Sequence, residues 1–174
     1  SCGCRLCENE SRARREARRA LAMDRYTETK RLPYSAEQLF SLVLDIEKYP
    51  QFLPWCRAAR VVSREENGAF LGELMISFSH LTERYTSRVA PTPPTATQEG
   101  KIEVTLVSGP FNFLNNHWRF VPHTEGCEIH LDLDFEFKSK LLDKMLGGMF
   151  QRACEKMVAA FTTRAEALYS KAPL

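Results

Sequence analysis

The alternation of apolar and polar residues is cleanest from Glu128 to Lys138. Ile129, Leu131, Leu133, Phe135 and Phe137 fall on one side, and Glu128, His130, Asp132, Asp134 and Glu136 on the other. A period of two predicts a strand with one buried face. From Ser139 the period changes. Leu142, Met145, Leu146, Met149, Phe150, Ala153, Met157, Phe161 and Leu168 recur at spacings of three and four. This stripe predicts a single amphipathic helix of roughly thirty residues that nearly finishes the chain. Such a helix, following an antiparallel sheet, lays its stripe against the sheet's apolar face.

The upstream pattern predicts the rest of that sheet. A short strand over 26–32 ends at Pro33, and Ser35-Ala36-Glu37-Gln38 is a capping box that opens a helix carrying Leu39, Phe40 and Val43 inward. Asp45 is placed to cap a second, very short helix ending before Pro50. Strands are expected near 58–65, 69–79, 82–90, 95–100, 102–108, 113–121 and 127–138, with turns at Asn67-Gly68, Gly109-Pro110 and Glu125-Gly126 and a loop marked by Pro91, Pro93 and Pro94. The order is strand, two short helices, a run of antiparallel strands and one long helix. That is an α+β arrangement in which a twisted sheet curls around the last helix and leaves room between them.

Composition narrows the function classes. The 174 residues suffice for one domain with a substantial core, and 44% hydrophobic with 26% charged residues is ordinary for a globular protein. No apolar run approaches the roughly 18 residues a membrane-spanning helix needs, and no secretory signal is present. Of 24 basic and 22 acidic residues, six Arg and three Glu lie in residues 1–22, leaving 18 basic and 19 acidic in the remainder. A near-neutral body argues against a DNA-binding groove. Residues 1–22 read as a disordered leader or an expression-derived extension, with Met23 a candidate natural start and 23–174 a single domain. Cys2, Cys4 and Cys7 fall in that leader, without the fourth ligand a structural zinc site requires. Cys56, Cys127 and Cys154 sit among core-forming residues and read as reduced thiols.

Candidate chemistry is apolar. Tyr49-Pro50-Gln51-Phe52-Leu53-Pro54-Trp55 holds three aromatics around two prolines, as a pocket wall or as a rigid elbow. Trp118 and Phe120 share one strand face, as core or as pocket lining. The acidic stripe from His130 to Glu136 spaces its side chains about 6.6 Å apart along the strand, too far for more than two to share an ion, and reads as a solvent face. No G-x-S-x-G, phosphate loop or H-E-x-x-H motif occurs, and His80, His117, His123 and His130 lack metal-ligand spacing. No catalytic, metal or cofactor site is therefore expected. Gly147-Gly148 interrupts the predicted helix, where each Gly costs about 1 kcal/mol relative to Ala.

Four segments together resemble a known family: L-P-Y-S-A-E-Q-L-F (32–40), Y-P-Q-F-L-P-W-C (49–56), G-P-F followed by L-N-N-H-W-R-F (109–120), and D-F-E-F-K-S-K-L-L (134–142). They are similar to the coenzyme Q-binding, START-like family, also described as polyketide cyclase/dehydrase-like and, in bacteria, as RatA-type ribosome-association toxins. The resemblance implies a helix-grip fold of the START or Bet v1 type. It also implies non-catalytic binding of ubiquinone or another polyprenyl lipid, with no cofactor. Phe52, Trp55, Phe111, Phe113, Trp118, Phe135, Phe137, Leu142, Met145 and Met149 become the implied lining. Implied partners are the lipid, a transient membrane surface and, alternatively, the large ribosomal subunit. The implied location is the cytoplasm or the inner membrane surface, on the matrix side in a mitochondrion. An aromatase/cyclase-like enzyme on the same fold would need an acid or base in the cavity, such as Glu83 or Arg84.

Overall fold

The computed structural model describes residues 24–78, 80–146 and 149–170. The leader, its three cysteines and the Gly147-Gly148 pair lie outside the described residues. Seven strands form the sheet: β1 (Asp24–Leu32), β2 (Cys56–Arg64), β3 (Phe70–Phe78), β4 (Leu81–Thr92), β5 (Gly100–Ser108), β6 (Phe111–His123) and β7 (Gly126–Phe137). They lie in the order β1-β7-β6-β5-β4-β3-β2, every neighbour antiparallel. Consecutive hairpins from β2 to β7 build most of the sheet, and β1 joins its far side by pairing with β7. Helix α1 (Ala36–Leu44) and a 3-10 helix (Ile46–Gln51) link β1 to β2. Helices α2 (Lys140–Leu146) and α3 (Phe150–Tyr169) follow β7.

Local chemistry accounts for the first elements. Ser35 accepts from the Gln38 amide at 3.1 Å while the Gln38 side chain accepts from the Ser35 amide at 3.0 Å, so the capping box is complete. Leu39, Phe40, Leu42 and Val43 are then buried. Gly72 on β3 lets this linker sit down on the sheet, because a Cβ there would meet Ile46 Cδ1 at 2.5 Å.

Three expectations from the sequence are corrected. No strand runs over 95–100: the Thr95 hydroxyl accepts from the Gln98 amide at 2.9 Å and the Thr95 amide donates to the Gln98 carbonyl at 3.0 Å, closing a turn instead. The short helix after Asp45 is 3-10 and contains Pro50 rather than ending before it, and the Asp45 side chain makes no capping bond. In place of the single C-terminal helix there are two, α2 and α3. Cys154, Met157, Phe161 and Ala165 are the buried positions of α3. By contrast Met145, Met149 and Leu168 are each about half exposed.

The core lies between the sheet, α1 and α3. Phe161 meets Tyr49 and Phe52 with ring centroids at 5.3 Å each, and Trp118 at 5.4 Å, so one α3 side chain clamps the 3-10 segment and β6 together. Cys56, Cys127 and Cys154 are buried, and Cys56 and Cys127 are free thiols.

Two predictions test this architecture. At Gly126 φ is +146°, and an added Cβ would collide with the Leu32 carbonyl oxygen of the neighbouring β1 end. Gly126→Ala should lower the unfolding free energy by about 2 kcal/mol or more in urea titration, since it adds left-handed strain to a backbone clash. Burial pushes the thiols of Cys56 and Cys127 up to about 11. At pH 8 about one in a thousand of each is thiolate, the reactive form. Iodoacetamide at pH 8 should leave the Cys56 and Cys127 peptides unlabelled in the native protein and label both in urea; rapid native labelling would contradict the buried, protonated state.

Candidate functional site

The inward face of the sheet and the near half of α3 do not meet completely. Between them lies a partly open cavity with about 150 Å³ of space reachable by the centre of a water molecule. Its floor comes from alternate residues of the strands: Leu74 and Ile76 on β3, Tyr85, Ser87 and Val89 on β4, Ile102 and Val104 on β5, Leu114, Asn116 and Trp118 on β6, Leu133, Phe135 and Phe137 on β7. Phe150, Ala153, Cys154, Met157 and Phe161 of α3 form the roof, and the 3-10 segment with Trp55 closes one side. Among the described residues, this wall contains no Asp, Glu, His, Lys or Arg.

The residues singled out from the sequence divide into two groups. Trp55, Phe111, Trp118, Phe135 and Phe137 stand in the cavity wall. Trp55 stacks on Phe78 at 5.8 Å, and Phe111, Phe135 and Phe137 contact one another with centroids at 5.0 to 5.5 Å. The other five stand elsewhere. Phe52 is spent on packing between Tyr49 and Phe161, with the Arg164 guanidinium over its ring at 5.4 Å. A bulge in β6 between Phe111 and Phe113 breaks the alternation, so Phe111 and Leu114 both face inward and Phe113 does not join the wall. Leu142 packs on the Phe111, Leu114, Phe135 and Phe137 cluster and borders a small crevice of about 10 Å³ beside the main cavity. Met145 and Met149 are 53% exposed. Glu83 borders that same crevice, whereas Arg84 is exposed and pairs with Glu73 at 3.5 Å.

The acidic stripe of β7 is an outer face engaged with cations. Glu128 accepts from Arg31 Nε at 2.9 Å and contacts His130 Nε2 at 2.8 Å, and these contacts hold its carboxyl below the usual range. Asp132 lies 3.8 Å from Arg25, and Asn112 donates to Glu136 at 3.1 Å.

A few polar groups interrupt the apolar wall, and the motif reading missed them. Ser87 is almost completely buried. Burial pushes the Tyr49 and Tyr85 phenols up, keeping both neutral, and Tyr49 donates its hydroxyl to the Val43 carbonyl. Asn116 occupies a cross-strand row between Val104 and Leu133, with Val89 one strand further. Among the described residues, Trp55 Nε1 and Asn116 Oδ1 are buried side-chain atoms with no hydrogen-bond partner. The signal for Asn116 was available: counting back by two from Trp118 puts an amide on the inward face.

Comparison with known proteins places this geometry. A family model described as polyketide cyclase/dehydrase and lipid transport matches residues 32–162. The ribosome association toxin RatA of Rickettsia prowazekii is 45% identical over 143 residues, 81% of this chain and 95% of that protein. The mitochondrial coenzyme Q-binding protein COQ10 homolog B of Xenopus laevis is 32% identical over 154 residues, 84% of this chain and 59% of that protein. In fold, the chain superposes on a START superfamily protein of Mycobacterium smegmatis with a TM-score of 0.68 at 24% identity, covering 83% of this chain and 98% of that one. A sheet gripping a C-terminal helix around an apolar cavity, together with a family match over most of the length, shows that the chain belongs to the polyketide cyclase/dehydrase and lipid transport family and has the START-like, helix-grip fold.

Proposed function

We propose that the protein is a non-catalytic binder of an apolar ligand, ubiquinone or a related polyprenyl lipid, held in the cavity between sheet and α3. The observation that carries this reading is the wall itself: apolar on nearly every side and free of charged side chains among the described residues. General acid–base chemistry of the cyclase kind needs a titratable group near its working pH facing the substrate. The ionisable groups in this wall, among the described residues, are Tyr49, Tyr85 and Cys154, and burial pushes the two tyrosine phenols further from neutrality. Apolar burial contributes about 25 cal/mol per Å², enough to retain an isoprenoid with few hydrogen bonds.

Room and exposure support a particular pose. A cavity of this measure is about what one six-membered ring fills. A ring head group fits inside, and a polyprenyl tail has to run outward. Leu141, Met145 and Met149 are exposed on and just after α2, beside the cluster that Leu142 covers. Lys138, Lys140 and Lys144 lie in the same stretch. Apolar side chains flanked by lysines suit transient contact with an anionic membrane surface, from which such a lipid would be drawn. Among the described residues, no helix is long and apolar enough to cross a membrane.

Organic extraction of the purified protein followed by mass spectrometry should recover a stoichiometric isoprenoid or quinone. Ubiquinone added to stripped protein should quench the fluorescence of Trp55 and Trp118, both of which face the cavity. Ala153→Phe, which fills the roof, should weaken that quenching roughly tenfold while circular dichroism stays native. Extracts without lipid, together with no quenching, would end this reading.

A second reading has one specific support, the 45% identity to a protein named for ribosome association. Under it the outer surface binds the large subunit and blocks joining. The charge distribution favours it weakly: on the β2–β4 face Arg60 and Arg84 share Glu73, and Arg88 is paired with Glu65 at 2.7 Å. Sucrose-gradient fractionation separates the two readings. The lipid-binder reading expects the protein at the top of the gradient in 100 mM salt, and comigration with large subunits would favour the second.

A further inference from the structure

The cavity has room for about one ring, so a tail attached to that ring needs a way out. Two smaller spaces adjoin the cavity, one at each side. Val43, Trp118 and Phe161 are shared with a pocket of about 20 Å³ between β1, α1 and α3. That partition is the contact of Phe161 with Trp118 itself, and Glu28, Lys30 and Thr162 line the pocket beyond it. A hydrocarbon passing there would break the ring contacts that hold α3 and then meet charged side chains.

The other side is built differently. β3 and β4 pair Leu74 with Tyr85, Ile76 with Glu83 and Phe78 with Leu81. Leu74, Ile76, Phe78 and Tyr85 line the cavity, while Ile76, Phe78, Leu81 and Glu83 line the crevice beside Leu142. The same two strands therefore carry one floor from cavity to crevice, apolar except for Glu83, and Phe137 borders both spaces. The crevice has about 10 Å³, the room of roughly one water, so a chain of methylenes passes only if a side chain yields. Leu142 is the one placed to yield, half-buried on α2 with Leu141 and Met145 exposed beside it. Displacing it costs less than breaking the three ring contacts of the buried Phe161.

We propose, resting on the reading of the cavity as a ligand site, that this crevice is the subsite for the ligand's isoprenoid tail. The chain leaves the cavity across Phe78 and Phe137, displaces Leu142 and emerges beside Leu141 and Met145. Affinity then rises with the first isoprene units and levels off once the chain reaches solvent.

The test titrates the stripped full chain by calorimetry with two quinones that share the dimethoxy-methyl-benzoquinone ring. One has no tail and the other carries two isoprene units. Wild type should bind the tailed quinone at least about thirtyfold tighter. Leu142→Trp, which plugs the crevice, should cut that ratio to within about threefold, whereas Leu142→Ala should keep it or raise it. Leu81→Trp plugs from the opposite wall and reports even if Leu142→Trp folds poorly. Thr162→Phe, in the pocket behind Phe161, should leave the ratio as in wild type. A thirtyfold ratio that survives both crevice plugs, or that is lost in Thr162→Phe, would overturn the tail route while leaving the cavity a ring site. Equal binding of the two quinones by wild type would do the same. Binding of neither quinone would overturn the ligand-site reading and the tail subsite with it.

Discussion

Phe161 fixes the relation between helix and sheet, and the rest of the architecture follows from where it sits. Its ring is held by Tyr49 in the 3-10 helix, by Phe52 just after it and by Trp118 from the middle of β6. Edge-to-face aromatic contacts of this kind each add of order 1 kcal/mol beyond the area they bury. The contact joins three segments far apart in sequence, so it sets the angle at which α3 crosses the sheet. One turn beyond, Ala165 is fully buried. Toward the other end Phe150 reaches Phe135 with centroids at 4.6 Å, while Ala153 between them is too small to fill the gap. The cavity is the space left when a straight helix is pinned at both ends across a concave sheet.

That space is costly. By the relation measured for engineered cavities, a closed apolar void of about 150 Å³ forgoes roughly 3–4 kcal/mol of packing, which is an upper bound for a cavity that is partly open. Larger side chains at Ala153, Val104 or Val89 would recover much of it. A ligand of matching shape recovers the same energy on binding, so the void is both a weakness of the free protein and the driving force for its occupation.

Much of this was legible from periodicity. Period two located β7 and its inward face, and the capping box located α1, because both depend on local chemistry that tertiary contacts only reinforce. The failures share a physical cause. A β-bulge shifts every later side chain to the other face, and nothing in Phe111-Asn112-Phe113-Leu114 announces which residue is the extra one, so Phe113 was assigned to the cavity in place of Leu114. Met145 and Met149 share the spacing of the buried stripe, yet both are about half exposed. Phe52 has the right chemistry, but Phe161 is close enough to claim it. Asn116, Ser87 and Tyr85 are polar positions within apolar faces, and periodicity marks the face without marking its exceptions.

Inner and outer faces of the same strands obey different constraints, and this bears on how relatives with such different names share one fold. Inward positions are set by packing, where altering one side chain disturbs several neighbours. Outward positions carry ion pairs in solvent: Arg31 with Glu128, Arg60 with Glu73, Arg88 with Glu65 and Arg119 with Glu99. Exposed pairs of this kind contribute little to stability, typically under about 1 kcal/mol each. The outer face is therefore free to acquire a macromolecular partner without disturbing the core, while the inner face is free to change ligand only through the residues that touch it. Under the lipid-binder reading, what the cavity wall selects and what the outer face contacts are then separable properties, and a substitution in one set leaves the other intact.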